Sequence, residues 1–290
     1  MLLGIKAKLL QKLDDSSERL FNPQAQLVFQ KLVYIWFIGY ALHSFPILSL
    51  FYGQDAIMMP RIQQGSGVIG NFIYLLNYLR SYYTLVFTIH FISLLFSVFG
   101  LLKVFPKVMV VITGWMLYYG CIPAYNGGYL LMMSFAFFML FMSPKSRKQS
   151  AFQMSNLAYL ACMLQVCLVY VIAGGYKLTG VSWLSGDAVS RVLYLSAFVS
   201  EAKRDWLLNF PIVLSFCTYV SLFYQVAFPL LVWFKKLKPI VLTLGLTFHL
   251  GLAIVLNLWD FGLAMIFSYV LFVRNPIEQS KRILNFRKAL

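Results

Sequence analysis

Lys177 is the ionisable residue of this chain whose neighbours most favour chemistry. It closes an apolar run that starts near Asn156, and it comes directly after Ala173, Gly174 and Gly175. Small residues in a membrane helix let another backbone or a ligand approach closely. Two interpretations follow: an anchor whose charged end reaches the membrane interface, or a shielded amine that loses its proton and serves as a base.

The histidines are the second set of residues that could do chemistry. His43, His90 and His249 each lie roughly 9 to 12 residues into an apolar run, near mid-membrane depth at about 1.5 Å per residue. Ionisable groups at that depth are costly and often functional. The alternative is a neutral imidazole bonded to a backbone carbonyl between helices. No two histidines share an i, i+4 spacing, so we predict no metal site.

The composition identifies the class of protein in which these residues lie. Of 290 residues, 61% are hydrophobic and only 11% are charged, against about 25% charged in soluble chains. We therefore predict an integral membrane protein with lipids as constant neighbours. The net charge of +15 lies between the apolar runs and accompanies no nucleic-acid motif, so we expect no nucleic-acid partner. The four cysteines have no metal-ligand spacing and are expected to be small core residues.

Eight apolar stretches predict an all-α, polytopic bundle of about eight transmembrane helices. The stretches are 30–52, 81–102, 107–123, 128–143, 155–177, 207–234, 239–257 and 259–273. With the N-terminus inside, 18 of the 24 Lys and Arg residues fall on the inner side and six on the outer side. This bias predicts that both termini are cytoplasmic and that Lys177 lies toward the outer side.

Two segments outside the spans also have helical patterns. In 1–22, Lys6, Lys8 and Lys12 alternate with leucines, which predicts an amphipathic helix on the cytoplasmic membrane surface. In 178–206, apolar positions recur at helical spacing, which predicts an amphipathic helix in the outer interface or folded back over the bundle.

Several motifs resemble those of a known membrane family. Ala173-Gly174-x-x-Lys177-Leu178, followed by Trp183-x-x-Gly186, resembles the signature of the HTTM family, the membrane domain related to vitamin K-dependent gamma-carboxylase. Three further pieces agree in order: Asn126-Gly127-Gly128, Phe228-Pro229-Leu230-Leu231 and Phe248-His249-Leu250. The resemblance covers nearly the whole chain, so it implies a single HTTM-like transmembrane domain over residues 1–290.

The resemblance implies a function as well as a fold. It gives Lys177 the role of the base that deprotonates a reduced vitamin K-type quinol, such as menaquinol, with His249 lining or orienting the quinol site. Other residues implied at the cofactor site are Gly174, Gly175, Tyr176, Trp183, Gly186 and Asn126. Oxygen and carbon dioxide would then be co-substrates of a lyase that carboxylates an exported peptide or protein. Its active face would point outward from a bacterial cytoplasmic membrane.

Two departures from the carboxylase keep a second function open. The carboxylase has a large lumenal domain after its membrane part, whereas this chain ends about 17 residues after its last predicted span. Gln225 stands where relatives often have an acid. In size and layout the chain is similar to small bacterial members, including the membrane subunit of the sporulation-delaying peptide toxin maturation system. The alternative function is therefore non-enzymatic. In it, the chain is a membrane maturation, export or binding partner for a secreted peptide toxin and acts with an accessory maturation protein.

Overall fold

A computed structural model describes residues 20–53, 70–71, 82–121, 125–146, 148 and 150–274. Over these residues the chain is helical and contains no strand. The helices are α1 (Pro23–Ser44), α2 (Leu48–Tyr52), α3 (Tyr83–Phe99), α4 (Phe105–Gly120), α5 (Gly127–Met139), α6 (Ser150–Leu178), α7 (Val181–Leu184), α8 (Ala188–Val192), α9 (Glu201–Leu208), α10 (Pro211–Leu231), α11 (Lys238–Val255) and α12 (Trp259–Ser268). Short 3-10 helices span Phe45–Ile47 and Tyr269–Phe272.

Every stretch predicted to span the membrane contains a helix, which confirms the all-α prediction for the described residues. Four helical segments are long and apolar enough to cross a membrane: Pro23–Tyr52, Ala151–Leu178, Pro211–Leu231 and Lys238–Val255. Large apolar side chains on their surfaces are freely exposed, as Ile212 is at 84% and Phe223 at 72%. Such faces are expected where lipid replaces water as the solvent. The helix predicted for 1–22 lies almost wholly outside the described residues.

The described residues form two compact units. The first comes from the described parts of Met1–Cys162 and Val273–Leu290, and the second is Met163–Phe272. In the first unit, α3 packs on both α1 and α4, and α5 packs on α1 and α4. Three of the four cysteines are buried as predicted, whereas Cys217 on α10 is exposed.

Two polar side chains of the first unit that the sequence singled out, His90 and Asn126, are hydrogen-bonded within it. The Thr113 hydroxyl donates to the Met109 carbonyl at 2.6 Å, so it accepts from Nδ1–H of His90 at 2.8 Å. His90 is therefore a bonded core histidine, the alternative to a functional role that the sequence left open. His43 lies exposed in the last turn of α1. Asn126 is the N-cap of α5, where its Oδ1 accepts from the backbone N–H of Gly128 at 2.8 Å.

The second unit contains the end of α6 and everything from α7 to the 3-10 helix at Tyr269–Phe272. Its helices α10, α11 and α12 pack in sequence order, as short connections favour. The segment 178–206 forms three short helices, α7 to α9, instead of one long helix, and all three pack on α10. Gly186 interrupts the helical run because its φ of +84° is a left-handed turn conformation.

Candidate functional site

Helices α6 and α10 meet in a register that places the end of α6 beside the middle of α10. The ring of Tyr170 packs on Phe228 with centroids 4.1 Å apart, and Lys177 reaches Gln225. Gln225 lies 14 residues after Pro211, the first residue of α10, which is about 21 Å along the helix axis. The first half of α10 therefore extends past the last turn of α6, and residues 184–189 pack against that half.

Lys177 is held by neutral groups. Its Nζ donates to Oε1 of the buried Gln225 at 2.7 Å and lies over the Trp183 ring, 4.2 Å from the ring centroid. Lys177 itself is only partly exposed. The amine therefore faces a buried amide and an aromatic ring, and this geometry differs from that of an anchor reaching into open solvent.

The nearby carboxylates are engaged away from Lys177. Asp187 pairs with Arg191 at 2.7 Å and Asp205 with Arg204 at 2.8 Å, and both pairs are exposed or partly so. Hydrogen bonds from Ser185 and Arg191 hold the pKa of the Asp187 carboxyl below its usual value. Within the part of the chain that the structure describes, Lys177 thus has no carboxylate partner.

Trp183 is positioned by the docking of the following turn on α10. Ser215 donates its hydroxyl to the Gly186 carbonyl at 2.8 Å, and the Tyr219 hydroxyl donates to the Leu184 carbonyl at 3.2 Å. A Cβ at Gly186 would stand 2.8 Å from the Tyr219 hydroxyl oxygen, so glycine is needed there for space as well as for its backbone conformation. These contacts hold the turn that carries the Trp183 ring beside Lys177.

Below Lys177, His249 joins a chain of buried tyrosine hydroxyls. Its Nε2 lies 2.7 Å from the Tyr170 hydroxyl, which in turn bonds the Tyr269 hydroxyl. Tyr269 meets the Tyr224 hydroxyl at 3.1 Å, and Tyr224 donates to the Val241 carbonyl at 3.2 Å. All four side chains are largely buried, with His249 only 1% exposed.

The remaining residues predicted for the cofactor site fall in different places. Gly174 is buried, and a Cβ there would stand 3.3 Å from the Val226 backbone nitrogen. Gly175 faces open space, and the Tyr176 side chain is 78% exposed. Asn126 belongs to the first unit, where it caps α5. The structure therefore brings Lys177, Trp183 and Gly174 to one part of α10, with Gly186 in the turn that supports Trp183.

Adjacent glycines on α6 provide a direct test of this packing. We expect Gly174→Ala to lower the free energy of unfolding by about 1 kcal/mol, because the new methyl group crowds α10. Gly175→Ala should leave it unchanged or slightly raised, since that position is open. Thermal unfolding of both variants in the same detergent would measure the difference. Equal effects of the two substitutions would contradict the α6–α10 register.

Three residues of the site were not singled out from the sequence: Tyr224, Tyr269 and Gly245. A Cβ at Gly245 would collide with both the Tyr224 and Tyr269 hydroxyls, so this glycine makes room for the tyrosine chain. A sequence signal was present, because Gly245 lies four residues before His249 and therefore on the same face of α11. No comparable sequence pattern indicated Tyr269, since its contacts with Tyr170 and Tyr224 depend on how the end of α12 packs against the other helices.

The site combines a primary amine without a carboxylate partner, a buried imidazole and aromatic rings. This set can bind an apolar ring that carries hydroxyl groups and can accept a proton from it. No three His, Cys, Asp or Glu side chains in the described ranges are placed to hold a metal ion. No protein-family model, curated protein or solved structure matches this chain.

Proposed function

We propose that this chain is a multi-pass membrane enzyme of the vitamin K-dependent gamma-carboxylase-like type. In this proposal Lys177 is the base that acts on a lipid quinol, and an exported peptide or protein is modified on the outer face of a bacterial cytoplasmic membrane. The observation that carries the proposal is the environment of the Lys177 amine. Its contacts are the Gln225 amide oxygen and the Trp183 ring, and neither gives the ammonium form a full counter-charge.

The residues present fit a ring-shaped quinol. Gln225 holds the amine through one hydrogen bond at 2.7 Å, which orients Nζ and leaves its other positions for a ligand hydroxyl. Trp183 covers the amine and limits its access to water. His249 adds a buried nitrogen, Nδ1, that has no hydrogen-bond partner among the described residues. When bound, the reduced quinol supplies, with oxygen, the strong base needed to remove a glutamyl proton before carbon dioxide adds.

The proposed membrane topology has eight spans with both termini in the cytoplasm. Its support is the helix found at each predicted stretch, together with the 18 to six distribution of Lys and Arg residues between the two sides. In this topology α7 to α9 lie on the outer side, where an exported substrate would meet Trp183 and Lys177. Membrane lipids and an accessory maturation protein are the further proposed partners.

The direct test uses the purified protein in lipid vesicles with reduced menaquinone, oxygen and labelled carbon dioxide. We expect label to enter co-expressed exported peptides only when the reduced quinone is supplied. A thermal shift on adding menaquinone or its reduced form would report binding independently. If neither form shifts the unfolding temperature and no label is incorporated, the non-enzymatic maturation or export partner becomes the better proposal.

Relatives often have an acid at the position of Gln225, so Gln225→Glu tests whether this chain, unlike them, requires a neutral partner for Lys177. A carboxylate 2.7 Å from Nζ stabilises the charged ammonium, so we expect label incorporation to fall by about 100-fold, the scale of general-base catalysis. The unfolding temperature should stay close to that of the wild type, because the new pair remains bonded. Incorporation and thermal unfolding are measured on the same preparations.

The first unit offers a matched control for this substitution. Lys107 Nζ donates to the Gln30 amide oxygen at 3.3 Å, so Gln30→Glu creates the same kind of ion pair away from the proposed site. We expect that variant to keep its activity. Full activity of Gln225→Glu, or equal losses in both variants, would count against Lys177 as the base.

A further inference from the structure

The hydrogen-bond chain below Lys177 fixes where the proton of His249 lies. It has four links: His249 Nε2 to Tyr170, Tyr170 to Tyr269, Tyr269 to Tyr224, and Tyr224 to the Val241 carbonyl. Each link needs one proton. Each tyrosine hydroxyl donates once and the carbonyl only accepts, so the tyrosines supply three protons for four links.

The fourth proton must come from His249. If Nε2 carried none, one link would consist of two oxygen lone pairs facing each other inside an apolar interior, which is costly. The doubly protonated ring is also disfavoured, because a buried imidazolium would have no carboxylate partner among the described residues. The neutral ring with its proton on Nε2 satisfies the whole chain, and it leaves Nδ1 as a bare acceptor.

Nδ1 is the part of this network that the protein does not satisfy. The atom is buried and has no hydrogen-bond donor among the residues that the structure describes. Buried polar atoms in folded proteins are nearly always bonded, so an orphan acceptor in a 1% exposed side chain calls for a donor beyond the described residues, and a bound ligand can supply it.

The neighbours of the His249 ring indicate what kind of molecule brings that donor. Phe248 and Phe261 pack against the imidazole with centroids 4.9 and 5.7 Å away, both near a T-shaped arrangement. Each phenyl ring is itself partly exposed, so a ligand that displaces one of them would reach the imidazole. An apolar aromatic ligand fits these surroundings, because its ring replaces the phenyl contacts that its entry displaces.

Since no described residue donates to it, we propose that His249 Nδ1 is the acceptor for a hydroxyl group carried on an apolar ring, and that Tyr170, Tyr269 and Tyr224 are positioning residues that hold the imidazole in the accepting tautomer. The site therefore selects ligands that donate a hydrogen bond over ring compounds that only accept one. A hydroquinone meets this requirement and the corresponding quinone does not. The inference rests on the proposed function in taking the ligand to be a ring compound.

The first measurement reads the tautomer directly. Protein labelled with nitrogen-15 at histidine is studied by NMR in lipid nanodiscs, and the His249 signals are identified by their loss in a His249→Gln variant. We expect an unprotonated Nδ1 and a protonated Nε2 in the wild type. A protonated Nδ1 would overturn the inference without reference to any ligand.

The second measurement compares 1-naphthol with 1-methoxynaphthalene, which has the same ring but no hydroxyl proton. We expect 1-naphthol to bind the wild type about five- to tenfold more tightly, the effect of one net hydrogen bond. In Tyr269→Phe the chain is broken, the tautomer is no longer imposed, and the preference should fall below about twofold. Tyr129→Phe is the matched control, because Tyr129 is a buried tyrosine of the first unit that donates to the Gly114 carbonyl at 3.0 Å.

Equal binding of the two compounds to the wild type, or binding of neither, overturns the inference. A preference for 1-naphthol that persists in Tyr269→Phe also overturns the inference. The outcome is separable from that of the carboxylation assay. Preference for 1-naphthol without incorporation of labelled carbon dioxide supports the acceptor site and rejects the proposed reaction. Incorporation of labelled carbon dioxide without a preference for 1-naphthol supports the proposed reaction and rejects the acceptor site.

Discussion

Replacing Lys177 with arginine is expected to lower quinol-dependent incorporation of carbon dioxide by about 100-fold or more, the range attributed to a positioned general base. A guanidinium keeps the positive charge, can donate to Gln225 and can stack on Trp183, but it does not become neutral near pH 7. The substitution therefore removes the proton-accepting form of the side chain while keeping its contacts. Incorporation is measured in vesicles containing equal amounts of each variant.

Lys203→Arg is the control for Lys177→Arg. Lys203 is an exposed lysine of the same unit, and its Nζ donates to the Ile254 carbonyl at 3.0 Å. We expect its replacement to leave incorporation unchanged. Wild-type activity in Lys177→Arg would show that Lys177 only anchors its helix. The acceptor role of His249 would then have to stand on the NMR and naphthol measurements alone.

Gly245→Ala is expected to be the most destabilising of the substitutions considered, lowering the free energy of unfolding by about 3 kcal/mol. A methyl group at this position overlaps the Tyr224 and Tyr269 hydroxyls and would lie 2.7 Å from Cζ of Tyr269. Both rings are buried against Phe228, so they have little room to retreat. Equilibrium unfolding in detergent, monitored by tyrosine and tryptophan fluorescence, would measure the loss.

Gly251→Ala on the same helix separates this collision from a general effect of losing a glycine. Gly251 has no neighbouring atom within 4 Å of an added Cβ. Alanine there should be neutral or stabilise α11 by up to about 1 kcal/mol, because glycine is the more flexible residue in a helix. Similar losses in both variants would mean that the tyrosine cluster is not packed as described.

Local pattern was enough to predict the helices. Apolar runs of 15 to 28 residues, punctuated by charged and glycine- or proline-containing segments, correspond to helices α1 to α6 and α10 to α12 within the described residues. The long run ending at Lys177 is a helix to Leu178, and the two shortest runs, 128–143 and 259–273, contain the short helices α5 and α12. These properties depend on neighbours in the chain, so one sequence suffices to see them.

The segment 178–206 shows where local pattern misleads. Its apolar spacing suited one amphipathic helix, but the chain turns at Gly186 and docks on α10 through Ser215, Thr218 and Tyr219. Those bonds join residues 29 to 35 positions apart. Side-chain partners at that separation are chosen by packing, and periodicity carries no information about them.

Lys177 and His249 were singled out from the sequence because charged or ionisable groups in apolar runs are unusual. Their contacts with Gln225, Trp183 and Tyr170 were not predicted, because those contacts depend on the register between helices. A shift of one turn would move Gln225 about 5 Å away from Nζ and would separate Tyr170 from His249. The sequence by itself determined an α-helical membrane chain with a lysine after small residues and a histidine at mid-helix. Only tertiary packing decided that the lysine meets a neutral amide and that three tyrosines direct the histidine proton, because close contacts at Gly174 and Gly245 set how the helices fit together.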